Sequence, residues 1–146
     1  MHINTSDSYE YDLTNASYLP GGTFTALIGK ISNNIIETNN YSDPLGKWNA
    51  THITYNEKLI VLINLYRIPD SSAKGSKTSL SQYNRKGGRE QTARIYREKI
   101  FIEIREYLHQ ISSDKQIIIT GDYNQSIGHD TVQEFFRMIG VKDVFE

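Results

Sequence analysis

The sequence contains no cysteine. This absence excludes disulfides, a thiol nucleophile and any zinc or iron–sulfur site with cysteine ligands, so carboxylates, amides, histidine and tyrosine must carry any chemistry. Oxygen ligands of this kind favour Mg²⁺-type metals. An excess of charge of one sign is also missing, because sixteen basic and seventeen acidic residues give a net charge of -1. A nucleic-acid partner would therefore have to bind a local basic patch.

Long apolar runs are missing too, and the sequence has no stretch that could span a membrane. Residues 1–18 are polar and acidic, unlike a secretory signal. We therefore predict an intracellular protein that does not bind membranes, with nucleus or cytoplasm and the oligomeric state left open. The length favours one domain, which we expect over residues 19–146, preceded by a disordered segment over residues 1–18.

Period-2 alternation or a continuous β-branched run predicts four strands in the first half of the chain. They cover residues 21–30, 31–38, Trp48–Tyr55 and Lys58–Tyr66, with a turn over 41–46 and a hairpin turn at Asn56 and Glu57. We expect the second strand to pair with the first. The fourth is nearly all apolar, which is typical of a strand buried on both faces.

The second half of the chain has the pattern of helices alternating with strands. Residues 67–88 are rich in serine, glycine and basic residues, which predicts a long surface loop. Apolar residues then recur every three or four positions over 93–111, which predicts one long helix. A strand over 115–120, a helix capped by Asp130 and ended by Gly140, and a further strand over 141–145 follow. This order predicts a layered α/β fold.

Polar side chains stand at the ends of two of these strands. Asp122 and Asn124 follow the strand over 115–120, where the carboxylate could orient or deprotonate a water and the amide could hold it. Tyr66 ends the strand Lys58–Tyr66. The alternatives are an Asx turn at Asp122 and Asn124, and an amphipathic residue at the core edge for Tyr66. If the two strands are neighbours, all three side chains lie at one rim.

Four motifs in a fixed order carry a resemblance to a known family. They are LPGGT at 19–23, DPLGKW at 43–48, LINLYRIP at 62–69 and GDYN at 121–124, with the long helix before the last. With these motifs the chain resembles the endonuclease/exonuclease/phosphatase superfamily, and within it most closely the endonucleases of non-LTR retrotransposons. The resemblance implies an α/β fold that is part of a DNase-like, four-layer sandwich of two sheets, with mixed and antiparallel strands and one long helix.

The resemblance also implies a reaction and a set of residues. It implies Mg²⁺- or Mn²⁺-dependent hydrolysis of a phosphodiester, with DNA as the expected partner. In that reaction Asp122 would orient the water, Asn124 would assist it and Tyr66 would contact the phosphate. Beside this site, Arg85, Lys86 and Tyr83 offer two cations and an aromatic ring for the nucleic-acid backbone. The alternative for these three is a solvated basic loop.

Part of the family pattern is missing from the sequence. The family has an Asn and a metal-binding Glu on strands before its Gly-Gly-Thr strand and an Asp-His pair near its C-terminus, whereas here nothing before Gly21 predicts a strand. We therefore assign no metal ligand, and Glu10, Asp43 and Asp143 are the first alternatives to test. We expect a truncated middle part of the domain with weak or no activity. The alternative is a non-catalytic remnant that binds nucleic acid or nothing.

The four histidines show no ligand spacing, and we expect His109 on the solvated face of the helix.

Overall fold

The computed structural model describes residues 1–6, 22–69, 93–111 and 113–142. These residues form a mixed α/β structure, which confirms the predicted fold class. The strands are β1 (His2–Ser6), β2 (Thr23–Leu27), β3 (Tyr41–Ser42), β4 (Trp48–Tyr55), β5 (Lys58–Tyr66) and β6 (Lys115–Asp122). The helices are α1 (Ala93–His109) and α2 (Asp130–Ile139). In these ranges, neither helix combines the length and apolar character needed to cross a bilayer.

The larger sheet has the strand order β3-β4-β5-β6. β3 and β5 pair with β4 in antiparallel register, and β6 pairs with β5 in parallel register. Asn56 and Glu57 both have positive φ, 48° and 63°, as a two-residue hairpin turn between right-twisted strands requires. Both strands of this hairpin have the predicted bounds, and the predicted turn lies between them.

Both helices pack against one face of the larger sheet. β5 presents Val61, Ile63 and Leu65 to this side, and all three are buried. The helices bury apolar residues that recur every three or four positions: Ile100, Ile104 and Leu108 of α1, and Val132, Phe135 and Phe136 of α2. Phe101 of α1 is buried as well, and its ring stacks on that of Phe135 with centroids 4.2 Å apart. The residues of β5 between the inward ones are only partly buried, so the strand is covered less completely on its other face than predicted.

The second sheet is the antiparallel pair of β1 and β2, and it lies on the other face of β4. The interface is polar: Asn4 Nδ2 donates to the Ala50 carbonyl at 2.8 Å. Thr25 Oγ1 donates to Asn49 Oδ1 at 2.8 Å, and Asn49 Nδ2 donates to Thr23 Oγ1 at 3.0 Å. Helices, larger sheet and smaller sheet therefore make three layers in the described part of the chain.

The apolar residues of the smaller sheet point away from this interface. Phe24 is 63% exposed and Ile3 is 49% exposed, while Thr23 and Thr25 are buried. On the larger sheet, Ile118 of β6 is 48% exposed on the face that α1 and α2 do not cover. These side chains leave apolar surface on two strands.

β1 corrects the sequence analysis, which predicts no strand before Gly21. His2–Ser6 pairs antiparallel with β2, with Asn4 opposite Thr25. The segment is short and its inward residue is polar, so it has no apolar period, and pairing with β2 supplies its stability. Residues 7–18, the rest of the predicted disordered segment, lie outside the described residues.

The strand predicted over 31–38 is also wrong. Short 3₁₀ turns over Gly29–Asn34 and Glu37–Asn39 take its place, and only Ile35 makes an isolated bridge, to Ile53. The apolar residues over 31–38 are too few for a strand to bury a continuous face.

Three smaller predictions differ from the structure at chain turns. The N-cap of α2 is His129 instead of Asp130, and its ring nitrogen accepts from the Thr131 backbone N–H. Arg67 and Ile68 are buried, although the sequence analysis assigns them to a surface loop. Residues 141 and 142 lie in no strand, and 143–145 are outside the described residues, as are 70–88 of the predicted loop.

Candidate active site at the ends of β5 and β6

Tyr66 and Asp122 are register partners at the end of the parallel ladder between β5 and β6. Their neighbours Leu65 and Tyr123 are buried in the helix-covered core. Because side chains alternate between the faces of a strand, Tyr66 and Asp122 lie on the opposite face. The Arg67 N–H continues the ladder by donating to the Asp122 carbonyl at 2.8 Å. The structure therefore brings Tyr66, Asp122 and Asn124 to one rim, while their chemical roles stay a prediction.

Asp122 and Asn124 form an Asx turn. The Asn124 N–H donates to Asp122 Oδ1 at 2.8 Å, and Asn124 has a φ of 46°, a left-handed conformation that asparagine tolerates. Asn124 Nδ2 donates to the Arg67 carbonyl at 2.6 Å. Among the described residues, Asp122 Oδ2 and Asn124 Oδ1 make no hydrogen bond. The turn and a ligand-binding role are thus compatible, because each side chain keeps one polar atom for a ligand.

The turn before β4 supports Tyr66. Tyr66 packs against Leu45 and Ile68, and its N–H donates to the Lys47 carbonyl at 2.7 Å. Asp43 Oδ2 accepts from the Leu45 and Lys47 N–H groups, both at 3.0 Å, which fixes the turn. Asp43 is therefore buried in the turn and does not reach the rim as an alternative metal ligand.

The ammonium group of Lys47 joins the same turn to α1. Lys47 is only 2% exposed, and its Nζ forms ion pairs with Asp43 and with Glu103 of α1. Burial, together with the charges of Asp43 and Glu103, raises the pKa of the adjacent Tyr41. The buried pairs hold the DPLGKW turn against the helix.

Three residues that the sequence analysis missed lie directly behind the rim. Arg97 of α1 donates from Nε to the Ile68 carbonyl and from Nη2 to the Asn124 carbonyl, both at 2.8 Å. Its Nη1 donates to Gln125 Oε1 at 3.2 Å. Arg67 Nη1 donates to the same oxygen, and the Arg67 guanidinium lies 4.6 Å from the centre of the Phe101 ring.

Two of these residues have a signal in the sequence. Arg97 lies three positions before Ile100, so it falls on the apolar stripe of α1. Arg67 is the next alternate position after Ile63 and Leu65, just beyond the end of β5, so the strand pattern places it on the buried face. A charged residue at a position that the pattern buries indicates a hydrogen-bonded or ion-paired role. Gln125 has no such signal.

The described residues do not form a complete metal site. In 1–6, 22–69, 93–111 and 113–142, no three His, Cys, Asp or Glu side chains come together in a way that could hold a metal ion. Asp122 and Asn124 supply one carboxylate and one amide oxygen, whereas Mg²⁺ prefers six oxygen ligands in octahedral geometry. The predicted substrate-binding residues Arg85, Lys86 and Tyr83 lie outside the described residues, and so do Glu10 and Asp143.

A buried histidine lies away from the rim, between β4 and α1. His52 Nε2 is 2.7 Å from the Tyr107 hydroxyl oxygen, which in turn is 3.3 Å from the Asn39 carbonyl. Within the described part of the chain, His52 Nδ1 is buried with no hydrogen-bond partner, so the neutral tautomer with its proton on Nε2 fits best, because it donates to Tyr107. Burial lowers the pKa of His52, and burial with the nearby Tyr41 raises the pKa of Tyr107 to about 12. His109 is exposed, as predicted.

Comparison with known proteins finds matches among solved structures alone. No family model matches the sequence, and no curated protein matches it. A beta toxin structure from Staphylococcus aureus is 21% identical with a TM-score of 0.46, and the match covers 67% of this chain and 30% of that one. SmcL is 22% identical with a TM-score of 0.45, covering 70% and 31%. A mutant of the same beta toxin with bound magnesium ions is 22% identical with a TM-score of 0.45, covering 67% and 30%. The chain spans about a third of the length of these proteins.

Proposed function

We propose that this chain carries the water-orienting and phosphate-contacting part of a metal-dependent phosphodiester hydrolase. In this proposal the substrate of the hydrolase is nucleic acid, with DNA expected, and the cofactor is Mg²⁺ or Mn²⁺. The observation that carries it is the pairing of Tyr66 with Asp122 at the ends of adjacent parallel strands. The four sequence motifs support the endonuclease/exonuclease/phosphatase superfamily. The proposal of an origin in a mobile element rests on those motifs alone.

The side chains at the rim suit the attack of water on a phosphodiester. The Asp122 carboxylate is fixed through Oδ1, so Oδ2 can accept a proton from a water molecule. Asn124 Oδ1 can accept a hydrogen bond from the same water and so orient it. A tyrosine hydroxyl, as on Tyr66, is a donor that a phosphate oxygen accepts. We expect slow turnover, because the described residues place one carboxylate at this rim.

The test is nicking of supercoiled plasmid DNA by the full chain, with Mg²⁺, with Mn²⁺ and with EDTA. We expect slow nicking that requires the metal. Asp122→Asn should lower the rate about 100-fold or more, because an amide cannot accept the proton. Asp114→Asn is the matched control, since Asp114 is exposed just before the opposite end of β6. It should nick like the unchanged chain.

Two results would contradict the proposal: equal nicking by Asp122→Asn, or no metal-dependent nicking by the unchanged chain. The second would favour a chain that binds nucleic acid without cleaving it. One observation favours that candidate, because among the described residues Asp122 is the single carboxylate at this rim and belongs to no group of three that could hold a metal ion. Fluorescence anisotropy of a labelled DNA duplex in EDTA measures binding separately from cleavage.

A further inference from the structure

We propose that Arg97 is a positioning residue that sets the orientation of the Asp122–Asn124 turn. The inference rests on the proposed function, because the turn matters only if Asp122 acts on a ligand. Arg97 projects from α1 between the two segments that leave the sheet. One hydrogen bond goes to Ile68, after β5, and two go to Asn124 and Gln125, after β6.

The guanidinium group suits this position for a geometric reason. Its donors are arranged in a rigid plane, so one side chain can reach three acceptors in two different segments. A lysine ammonium is a compact point charge and cannot span the same acceptors. Arg97 is 6% exposed, so its loss would remove the donor of the buried Ile68 carbonyl and of the partly buried Asn124 carbonyl.

Asn124 is held from two sides, once through its side chain and once through its backbone carbonyl. Its side chain donates to the Arg67 carbonyl, and its own carbonyl accepts from Arg97. Gln125, the next residue, accepts from both Arg67 and Arg97 through one oxygen. Asp122 is tied to this unit because its Oδ1 accepts from the Asn124 N–H. Loss of Arg97 would therefore release the turn that fixes the Asp122 carboxylate, although Arg97 lies behind the rim.

The test compares Arg97→Lys with Arg105→Lys, a control on the same helix whose guanidinium donates to Met138 Sδ at 3.5 Å and makes no hydrogen bond to the turn. NMR relaxation dispersion is measured at the backbone amides of Asn124 and Gln125, and plasmid nicking gives kcat and KM. For Arg97→Lys we expect new exchange broadening at both amides. We also expect kcat to fall about 10- to 100-fold with KM nearly unchanged, as for a displaced catalytic group. Arg105→Lys should change neither.

The two readouts separate the two hypotheses. If the unchanged chain does not nick DNA, the proposed function fails, and the NMR comparison still decides whether Arg97 orders the turn. If Arg97→Lys lowers only the melting temperature and leaves both the amide signals and kcat unchanged, the positioning role is overturned. If Arg97→Lys does not fold, Gln125→Ala replaces it in the test, because it removes one acceptor of Arg97, the Gln125 side-chain oxygen. It should broaden the Asn124 amide and lower kcat in the same direction, and unchanged values would overturn the role.

Discussion

The backbone of Gly121 lies against the Leu65 carbonyl so closely that a Cβ at residue 121 would come within 1.9 Å of that oxygen. Gly121 also has a φ of +134°, a conformation that side chains rarely adopt. The chain can therefore pass from β6 into the Asx turn only with glycine at this position.

Gly121→Ala should lower the free energy of unfolding by roughly 3 kcal/mol, because the methyl group must displace the β5 backbone or the turn. Chemical denaturation measures this change. Gly128→Ala is the matched control, since a Cβ there meets nothing closer than the Ser126 hydroxyl at 3.8 Å. Equal stability of the two variants would show that β5 and β6 are not in contact at this point.

Glu103→Ala should lower the free energy of unfolding by about 3 kcal/mol, because it leaves the buried Lys47 ammonium with Asp43 as its remaining acid among the described residues. Glu106→Ala, one turn away on the exposed side of α1, should change it by less than about 0.5 kcal/mol. Thermal denaturation of both variants gives the comparison. A similar small effect for both would mean that the Lys47 pair adds no stability.

The stability of the protein should fall as the pH decreases below about 6.5, the ordinary pKa of histidine. Burial lowers the pKa of His52 in the folded state, so below 6.5 the unfolded chain binds a proton that the folded protein does not. Urea denaturation between pH 5 and pH 8 measures the slope. His52→Gln should reduce this slope, while His109→Gln, at an exposed position, should retain it.

Phe24→Thr and Ile118→Thr should each reduce self-association, because both replace exposed apolar side chains on strand faces. The free energy of unfolding should change little, since neither side chain fills the core. Light scattering against concentration measures the association. Phe101→Thr, at a buried position, should instead unfold or severely destabilise the protein. Greater association of Phe24→Thr than of the unchanged chain would contradict the prediction.

The elements with strong periodicity could be predicted from the sequence. β4 and β5 have the predicted bounds, because continuous apolar or alternating runs are separated by a turn pair that accepts positive φ. β1 could not be predicted, because its inward residue, Asn4, is polar and hydrogen-bonds to β4, and because the strand depends on pairing with β2. β2 was predicted by its alternation, yet its polar face points inward and Phe24 points outward.

The site could be predicted only in part. Polar residues at the ends of two apolar strands predict that Tyr66 and Asp122 share one rim if the strands are neighbours, and the structure pairs β5 with β6. Arg97 was missed although it falls on the apolar stripe of α1, because two of its acceptors are backbone carbonyls, which exist at every residue. Gln125 was missed because no pattern in the sequence marks its side-chain oxygen as the acceptor of two arginines. The basic residues Arg85 and Lys86 stay a prediction.

The pairing of β5 with two different neighbours has a consequence for the order of folding. Its pairing with β4 closes a two-residue turn, whereas its pairing with β6 joins Leu59 to Lys115 across the whole intervening chain. Local pairs close with less loss of chain entropy than distant ones and generally form earlier. We therefore expect the hairpin to form first and Tyr66 to meet Asp122 late. During synthesis, the rim cannot assemble until the last residues of β6 have left the ribosome.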